Sequence, residues 1–186
     1  ARPSAIEGSE LLRVGIVVGI IFLAILAHEL GHAMAIKAIG HRPLLIEFHG
    51  LGGATHWSPD RPVSAVRSVA VSVAGPAVGI ALGGPAFLGQ VAIVALGGPT
   101  EGLANELLGV FWWANLGWGI LNLLPIIPLD GGQIMGAFIG GIAPGKGMRV
   151  AHVISILVAV GLGIVALALQ DWWAVFLCGL FVWVNV

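Results

Sequence analysis

The stretch from Val14 to Ile36 restricts the fold of this chain more than any other feature, because it is apolar along almost its whole length. A helix of about 23 residues is about 35 Å long, which is enough to cross the hydrocarbon layer of a membrane. The ionisable side chains within it are those of His28, Glu29 and His32. The stretch therefore predicts a membrane-spanning helix that carries a polar cluster.

The composition of the chain supports insertion into a lipid bilayer. Of its 186 residues 58% are hydrophobic and 9% are charged, whereas soluble domains carry about 25% charged residues. The net charge of −1 argues against a nucleic-acid partner. The single cysteine, Cys178, excludes an intrachain disulfide and is expected to be a packing residue. We predict an integral, multi-pass membrane protein that forms one domain over residues 1–186.

Further apolar segments predict an all-α transmembrane bundle of about five to six spans, some of them broken. The expected spans are residues 11–39, 62–83, 103–124, 148–169 and 172–186. Residues 84–102 are compatible with a continued helix, a re-entrant segment or a loop. The Gly75-Pro76 pair predicts a break within the second span.

Residues 44–61 differ from the helical segments around them. They are rich in β-branched, aromatic and glycine residues and show no helical period. We predict a small membrane-associated β-hairpin that turns at Gly50–Gly53. Irregular backbone at membrane depth is tolerated only against protein or a water-filled cavity, so the hairpin is expected to lie beside one of these.

The distribution of positive charge predicts the orientation of the bundle. Six of the eight lysine and arginine residues lie in or beside the connections 37–67 and 125–149. With spans of alternating direction both connections fall on one side, which the positive-inside rule makes cytoplasmic. The polar cluster of the first span then lies toward the cytoplasmic side, most simply of the cell (inner) membrane.

His28, Glu29 and His32 form the pattern H-E-x-x-H. Positions i and i+4 of a helix share a face, so both imidazoles can bind one metal ion, and zinc suits such a site. Glu29 can then act as general base toward a water molecule. A charged group near the bilayer centre costs roughly 2.5–3.5 kcal/mol, which favours a functional role. The alternatives are a polar cluster that hydrogen-bonds between helices and a proton-relay site.

A catalytic zinc ion usually has three protein ligands, and Asp130 is the best candidate for the third. It is an isolated acidic residue in the apolar stretch NLLPIIPLDGG. Pro125 and Pro128 break the helix before it, and Gly131-Gly132 is expected to let the backbone turn after it. Asp130 could instead cap a short following helix. Four other histidines compete for the third position: His41, His49, His56 and His152.

These motifs together resemble the site-2 protease family of intramembrane zinc metalloproteases. The family pattern N-x-x-P-x-x-P-x-D-G is matched by residues 122–131, and "HGLGGATHW" and "VAGPAVGI" are similar to its glycine-rich hairpin and its A-G-P segment. The resemblance covers most of residues 20–140. It implies that His28, His32 and Asp130 bind one zinc ion and that Glu29 is the catalytic base.

The resemblance also implies a role for Asn122, which would hold the substrate backbone or stabilise the tetrahedral intermediate. An interhelical hydrogen bond is the alternative for this residue. The expected reaction is hydrolysis of a peptide bond within or next to a transmembrane segment of a membrane protein substrate. Gly50, Gly52 and Gly53 would let the hairpin approach the site and bind unwound substrate as an added strand, although turn formation alone also explains them. A metal or proton transporter and a non-catalytic membrane-binding homologue are the rival functions.

Overall fold

The computed structural model describes residues 5–50 and 52–186, with side chains described from residue 10 onward. The helices are α1 (Ala5–Ala38), α2 (Ala65–Ala95), α3 (Leu103–Trp112), α4 (Trp118–Asn122), α5 (Asp130–Ile142), α6 (Gly147–Ala168) and α7 (Trp172–Asn185). A π-helical segment, Trp113–Gly117, joins α3 to α4. The strands are β1 (Pro43–His49) and β2 (Gly52–Trp57), which pair antiparallel.

Among the described residues, three helices are long and apolar enough to cross a membrane: α1 from Glu10, α2 and α6. The helical run from α3 through the π segment to α4 is about 20 residues long, which also suffices, and α7 is a shorter apolar helix. Large apolar side chains cover the outer faces; Leu157, for example, is 66% exposed. Such a surface suits contact with lipid rather than water. The predicted helical membrane bundle with a small hairpin is confirmed.

The predicted break at Gly75-Pro76 is wrong, because α2 runs without interruption to Ala95 and contains both Pro76 and Pro85. The open question of residues 84–102 is thereby answered, since the first part of that segment continues α2. Proline is tolerated inside membrane helices where neighbouring elements pack closely and satisfy the backbone. Pro76 is among the fully buried side chains of the chain.

Glycines bring the backbones of α1, α2 and the π segment into close contact. A Cβ atom at Gly31 of α1 would lie 2.7 Å from the carbonyl oxygen of Ala74 in α2. A Cβ atom at Gly79 of α2 would lie 2.6 Å from the carbonyl oxygen of Asn115. Small residues at such positions are the usual means of helix association in membranes. As a result α2 lies between α1 and the π segment.

The hairpin packs against α1 through both of its strands. The rings of Phe48 in β1 and Phe22 in α1 lie 4.9 Å apart between centroids, and β2 lies along the α1 turn that contains Glu29. The turn is narrower than predicted: β1 ends at His49 and β2 begins at Gly52, so Gly52 and Gly53 belong to the strand. Leu51 lies outside the described residues.

Candidate active site

Two histidines of one helix meet an aspartate from a distant part of the sequence inside the bundle. His28 and His32 lie one turn apart on α1, and Asp130 is the first residue of α5. The Nε2 atom of His28 lies 3.1 Å from Oδ2 of Asp130, and Nε2 of His32 lies 3.3 Å from Oδ1. The two Nε2 atoms are 3.2 Å apart. Both histidines are buried, and the Asp130 side chain is 16% exposed.

These distances fit a tetrahedral metal ion. Zinc binds nitrogen and oxygen ligands at about 2.0–2.2 Å, so neighbouring ligand atoms of a tetrahedron lie about 3.3–3.5 Å apart. The three observed separations, 3.1–3.3 Å, are close to this value. Two imidazole nitrogens and a carboxylate are also a ligand set that suits zinc. His28, His32 and Asp130 could therefore hold one such ion together.

The ring of His32 is oriented by a second contact. Its Nδ1 atom lies 2.8 Å from the carbonyl oxygen of Val71 in α2. A carbonyl oxygen can only accept, so Nδ1 carries the proton and donates it. In the neutral imidazole this leaves the lone pair on Nε2, the atom that faces His28 and Asp130. Metal-binding histidines commonly have such a partner.

Glu29 lies beside the histidines and is fixed by strand β2. It is 4% exposed, and its carboxylate lies within 4.8 Å of the histidine nitrogens. The hydroxyl of Thr55 donates to Glu29 Oε2 at 2.7 Å. A Cβ atom at Gly53 would lie 2.9 Å from Oε1. Residues 53 and 55 share one face of the strand, so this face of β2 packs on the glutamate.

A cavity of about 350 Å³ opens beside these residues. Besides the predicted site residues, its walls contain four polar side chains that were not predicted as site residues: Thr55, Ser68, Ser72 and Gln133. Ser68 and Ser72 lie one turn apart on the largely apolar α2, and this spacing was the available signal. The cavity is polar enough to hold water next to the histidines.

Gly75 of α2 leaves the space in which the two imidazoles meet. A Cβ atom at this position would overlap Nε2 of His32 and would lie 2.7 Å from Nε2 of His28. Any other residue here would push both ligand atoms aside. Gly75 thus provides room at the site, which explains why a glycine occurs at this position of an unbroken helix.

The Gly131-Gly132 pair serves close packing rather than a turn, which corrects the sequence-based expectation. Both glycines lie inside α5 and are buried. A Cβ atom at Gly132 would lie 2.7 Å from the carbonyl oxygen of Ile126, and one at Gly131 would overlap backbone oxygens of the same preceding segment. The residue that caps α5 is Leu129, so the carboxylate of Asp130 is directed to the histidines instead of capping the helix.

The remaining predicted site residues are Asn122 and the hairpin glycines, and only some of them reach the cavity. Asn122 lines the cavity, and its Nδ2 atom donates to the carbonyl oxygen of Trp118 one turn earlier, at 3.0 Å. Gly53 also lines the cavity, whereas Gly52 packs on the Trp118 ring. A Cβ atom at Gly50 would meet no described atom within 4 Å.

The competing histidines do not contribute to the cavity walls within the described part of the chain. His56 pairs with Glu47 on the exposed side of the hairpin, at 3.0 Å. The ring of His41 packs against Trp57, and His152 contacts Asn185.

Fold and site together define a membrane protein with an H-E-x-x-H cluster and a distant aspartate at one buried centre. The sequence profile of Peptidase family M50 matches residues 86–168, the part that contains Asn122 and Asp130. The structure resembles that of the site-2 protease from Methanocaldococcus jannaschii, with a TM-score of 0.68 and 20% identity over 96% of this chain and 86% of that one. This likeness shows that the fold is shared.

Curated relatives agree with these matches. Rip3 of Mycobacterium tuberculosis is 33% identical over 153 residues, which are 75% of this chain and 36% of that protein. The protein sll0528 of Synechocystis sp. is 29% identical over 154 residues, 81% of this chain and 39% of that protein. Both are named as candidate zinc metalloproteases. The chain thus spans less than two fifths of the length of each relative. Together these matches confirm the predicted resemblance to the site-2 protease family.

Proposed function

We propose that this chain is an intramembrane zinc metalloprotease that hydrolyses peptide bonds within or next to transmembrane segments of membrane protein substrates. The observation that carries this proposal is the meeting of His28, His32 and Asp130 at 3.1–3.3 Å beside a buried glutamate and a polar cavity. The names of the relatives support zinc as the metal and proteolysis as the reaction.

His28, His32 and Asp130 would hold the metal, and Glu29 would move the proton. When bound, zinc would act as a Lewis acid that polarises the scissile carbonyl. Since Thr55 donates to Glu29 Oε2, the other oxygen, Oε1, is the one that can take a proton from the attacking water. The same atom can then deliver that proton to the departing amine.

The substrate would be held by Asn122 and by the hairpin. The Asn122 amide uses one N–H on Trp118, so its second N–H and its oxygen can bind a substrate peptide group or the developing oxyanion. An unwound substrate segment would add as a strand to the hairpin, which replaces the hydrogen bonds that lipid cannot provide. Gly53, next to Glu29, would allow this approach, with Gly50 and Gly52 shaping the hairpin.

We infer that the site opens toward the cytoplasmic side of the cell (inner) membrane. The two connections rich in lysine and arginine, 37–67 and 125–149, flank the site in sequence. The positive-inside rule places such connections in the cytoplasm. Water would reach the cavity from that side, and a transmembrane substrate would enter from the bilayer.

The proposal is tested by metal content and cleavage measured on one preparation. Elemental analysis of the purified protein should give about one zinc ion per chain, as expected for a mononuclear site. In liposomes the protein should cleave single-span membrane proteins within or next to the span, and a chelator should stop the cleavage. The rival function is that of a metal or proton transporter, a class of membrane protein that often contains broken helices. A protein that moved zinc across the vesicle membrane and cut no substrate would support that rival instead.

Replacing Asp130 with Ala should weaken zinc binding by at least about 100-fold, because it removes one of three ligands. The measurement is zinc retention during dialysis against a graded chelator series. Asp60→Ala, an exposed aspartate between the hairpin and α2, serves as the matched control and should bind zinc like the wild type. Unchanged retention in Asp130→Ala would remove this residue from the ligand set.

Replacing Thr55 with Val should lower kcat by about tenfold and leave zinc content unchanged, since it removes one hydrogen bond to a charged group. Glu29 would lose the contact that fixes its carboxylate, while the metal ligands stay in place. Thr55→Ser keeps the hydroxyl and should retain most of the activity. A kcat equal to wild type in Thr55→Val would show that β2 packing alone positions Glu29.

A further inference from the structure

Helices α6 and α7 do not line the cavity, yet both hydrogen-bond to the segment that leads to Asp130. The backbone N–H of Ile127 donates to Oγ of Ser155 in α6 at 2.9 Å. The carbonyl oxygen of Ile127 accepts from Nδ2 of Asn185 in α7 at 2.6 Å. Two side chains from two different helices thus bind both polar groups of one residue, three positions before the aspartate.

The side chains that hold Ile127 are themselves fixed. Ser155 is fully buried, and its hydroxyl donates to the carbonyl oxygen of Ala151 at 2.7 Å, so its oxygen is free to accept from Ile127. Asn185 is 8% exposed, and its Oδ1 atom lies 2.9 Å from Nδ1 of His152. The polar atoms of Ser155 and Asn185 therefore each have a defined role as hydrogen-bond donor or acceptor. In lipid there is no water to replace a lost partner.

The same segment is held on its other side by α5. A Cβ atom at Gly132 would lie 2.5 Å from the backbone nitrogen of Ile127. The chain before Asp130 is therefore enclosed between the start of α5 and the polar side chains of α6 and α7. Ile126 and Ile127 are 0% and 6% exposed. A shift of this segment would move Asp130 relative to the histidines of α1.

We propose that Ser155 and Asn185 are positioning residues for the metal site. They hold the backbone N–H and carbonyl of Ile127, and through this residue they set the distance between the Asp130 carboxylate and the two imidazoles. They touch neither substrate nor metal. This inference rests on the proposed role of Asp130 as a ligand, and it assigns to α6 and α7 a function that no motif in the sequence indicates.

The test compares Ser155→Ala and Asn185→Leu with wild type, purified in detergent. Zinc affinity is measured by chelator competition, and site geometry by the visible absorption spectrum of the cobalt-substituted protein. Each variant should bind zinc about tenfold more weakly, as is typical when a supporting contact of a metal ligand is lost. The cobalt bands should shift in position or intensity. Ser155→Cys, which keeps a weak acceptor at this position, should lie between Ser155→Ala and wild type.

The control is Ala159→Gly, a buried position one turn further along α6. It should lower the melting temperature, because glycine disfavours helix, without changing zinc affinity or the cobalt spectrum. If Asn185→Leu does not fold, Asn185→Asp replaces it, since the aspartate is similar in shape but lacks the N–H donor. Folded variants with wild-type zinc affinity and cobalt bands would overturn the proposal.

The Asp130→Ala variant separates this inference from the proposed function. If Asp130→Ala loses zinc while the Ser155 and Asn185 variants do not, the ligand assignment stands and the positioning role is wrong. If Asp130→Ala also keeps its zinc, or if wild type binds none, the ligand assignment itself fails and the positioning role fails with it.

Discussion

The Glu29→Gln variant is expected to bind zinc like the wild type and to cleave its substrates at least about 100-fold more slowly, because general acid–base catalysis contributes about 10²–10⁴-fold. Glutamine has the shape of glutamate and can still accept from Thr55, so the packing of β2 on this side chain should persist. It cannot take a proton from water at neutral pH. Zinc content and single-turnover cleavage of a reconstituted single-span substrate measure the two effects separately.

Glu47→Gln is the matched control for this experiment. Glu47 lies on the exposed side of the same hairpin, with a side chain that is 60% exposed, and pairs with His56. The same chemical change at that position should leave both zinc content and cleavage near wild type. Residual cleavage above one tenth of wild type in Glu29→Gln would contradict the assignment of Glu29 as the base. Loss of zinc from this variant would instead place Glu29 among the ligands.

The membrane class and most helices could be predicted because they depend on local properties of the chain. Apolar length alone identified α1, α6 and α7 to within a few residues, apart from the start of α1. The prediction of a break in α2 was wrong for a physical reason. Gly75 and Pro76 disfavour helix in isolation, but here both are buried, Gly75 against the histidines of α1 and Pro76 against Gly119 of α4. Tertiary packing decided the conformation, and a rule based on single residues does not include it.

The site was predictable in part. The helical spacing of His28 and His32 fixes their relative position, so their convergence followed from the sequence. The contact of Asp130 with both of them spans about one hundred residues of chain, and no local rule gives such a distance. It was inferred from an isolated carboxylate in an apolar stretch and from the family resemblance. The structure adds the distances, at 3.1 and 3.3 Å.

The supporting residues were missed because their role depends on contacts across the fold. Ser155 is the single hydroxyl residue of α6, and Asn185 stands at the end of an apolar α7. A lone polar residue in a membrane helix needs a partner, and this was a usable signal. The sequence does not tell which partner it finds. The same holds for Gly131 and Gly132, whose role also depends on contacts across the fold. They were predicted to form a turn, but the structure shows that they allow close packing of α5 on the preceding segment.

Gly75→Ala is the second variant for which we expect a large effect, namely loss of zinc from the folded protein. The added Cβ would overlap His32 Nε2 and would lie 2.7 Å from His28 Nε2. Both ligand atoms would have to move, and a change of this size at two of three ligands should weaken zinc binding by more than about 100-fold. Cleavage should fall with it. Zinc affinity by chelator competition is the direct measurement.

A steric change in α2 could also act by disturbing helix packing. Substitutions at two other glycines of α2 separate this effect from a direct effect on the histidines. At Gly79, one turn away, a Cβ would lie 2.6 Å from the carbonyl oxygen of Asn115, so Gly79→Ala strains the same helix without touching the histidines. At Gly89 a Cβ would meet no described atom within 4 Å, and Gly89→Ala should be neutral. We expect Gly79→Ala to lower the melting temperature and to keep its zinc. If Gly75→Ala instead binds zinc as tightly as Gly89→Ala, then the histidines can rearrange around the methyl group, and the space at Gly75 is not a requirement of the metal site.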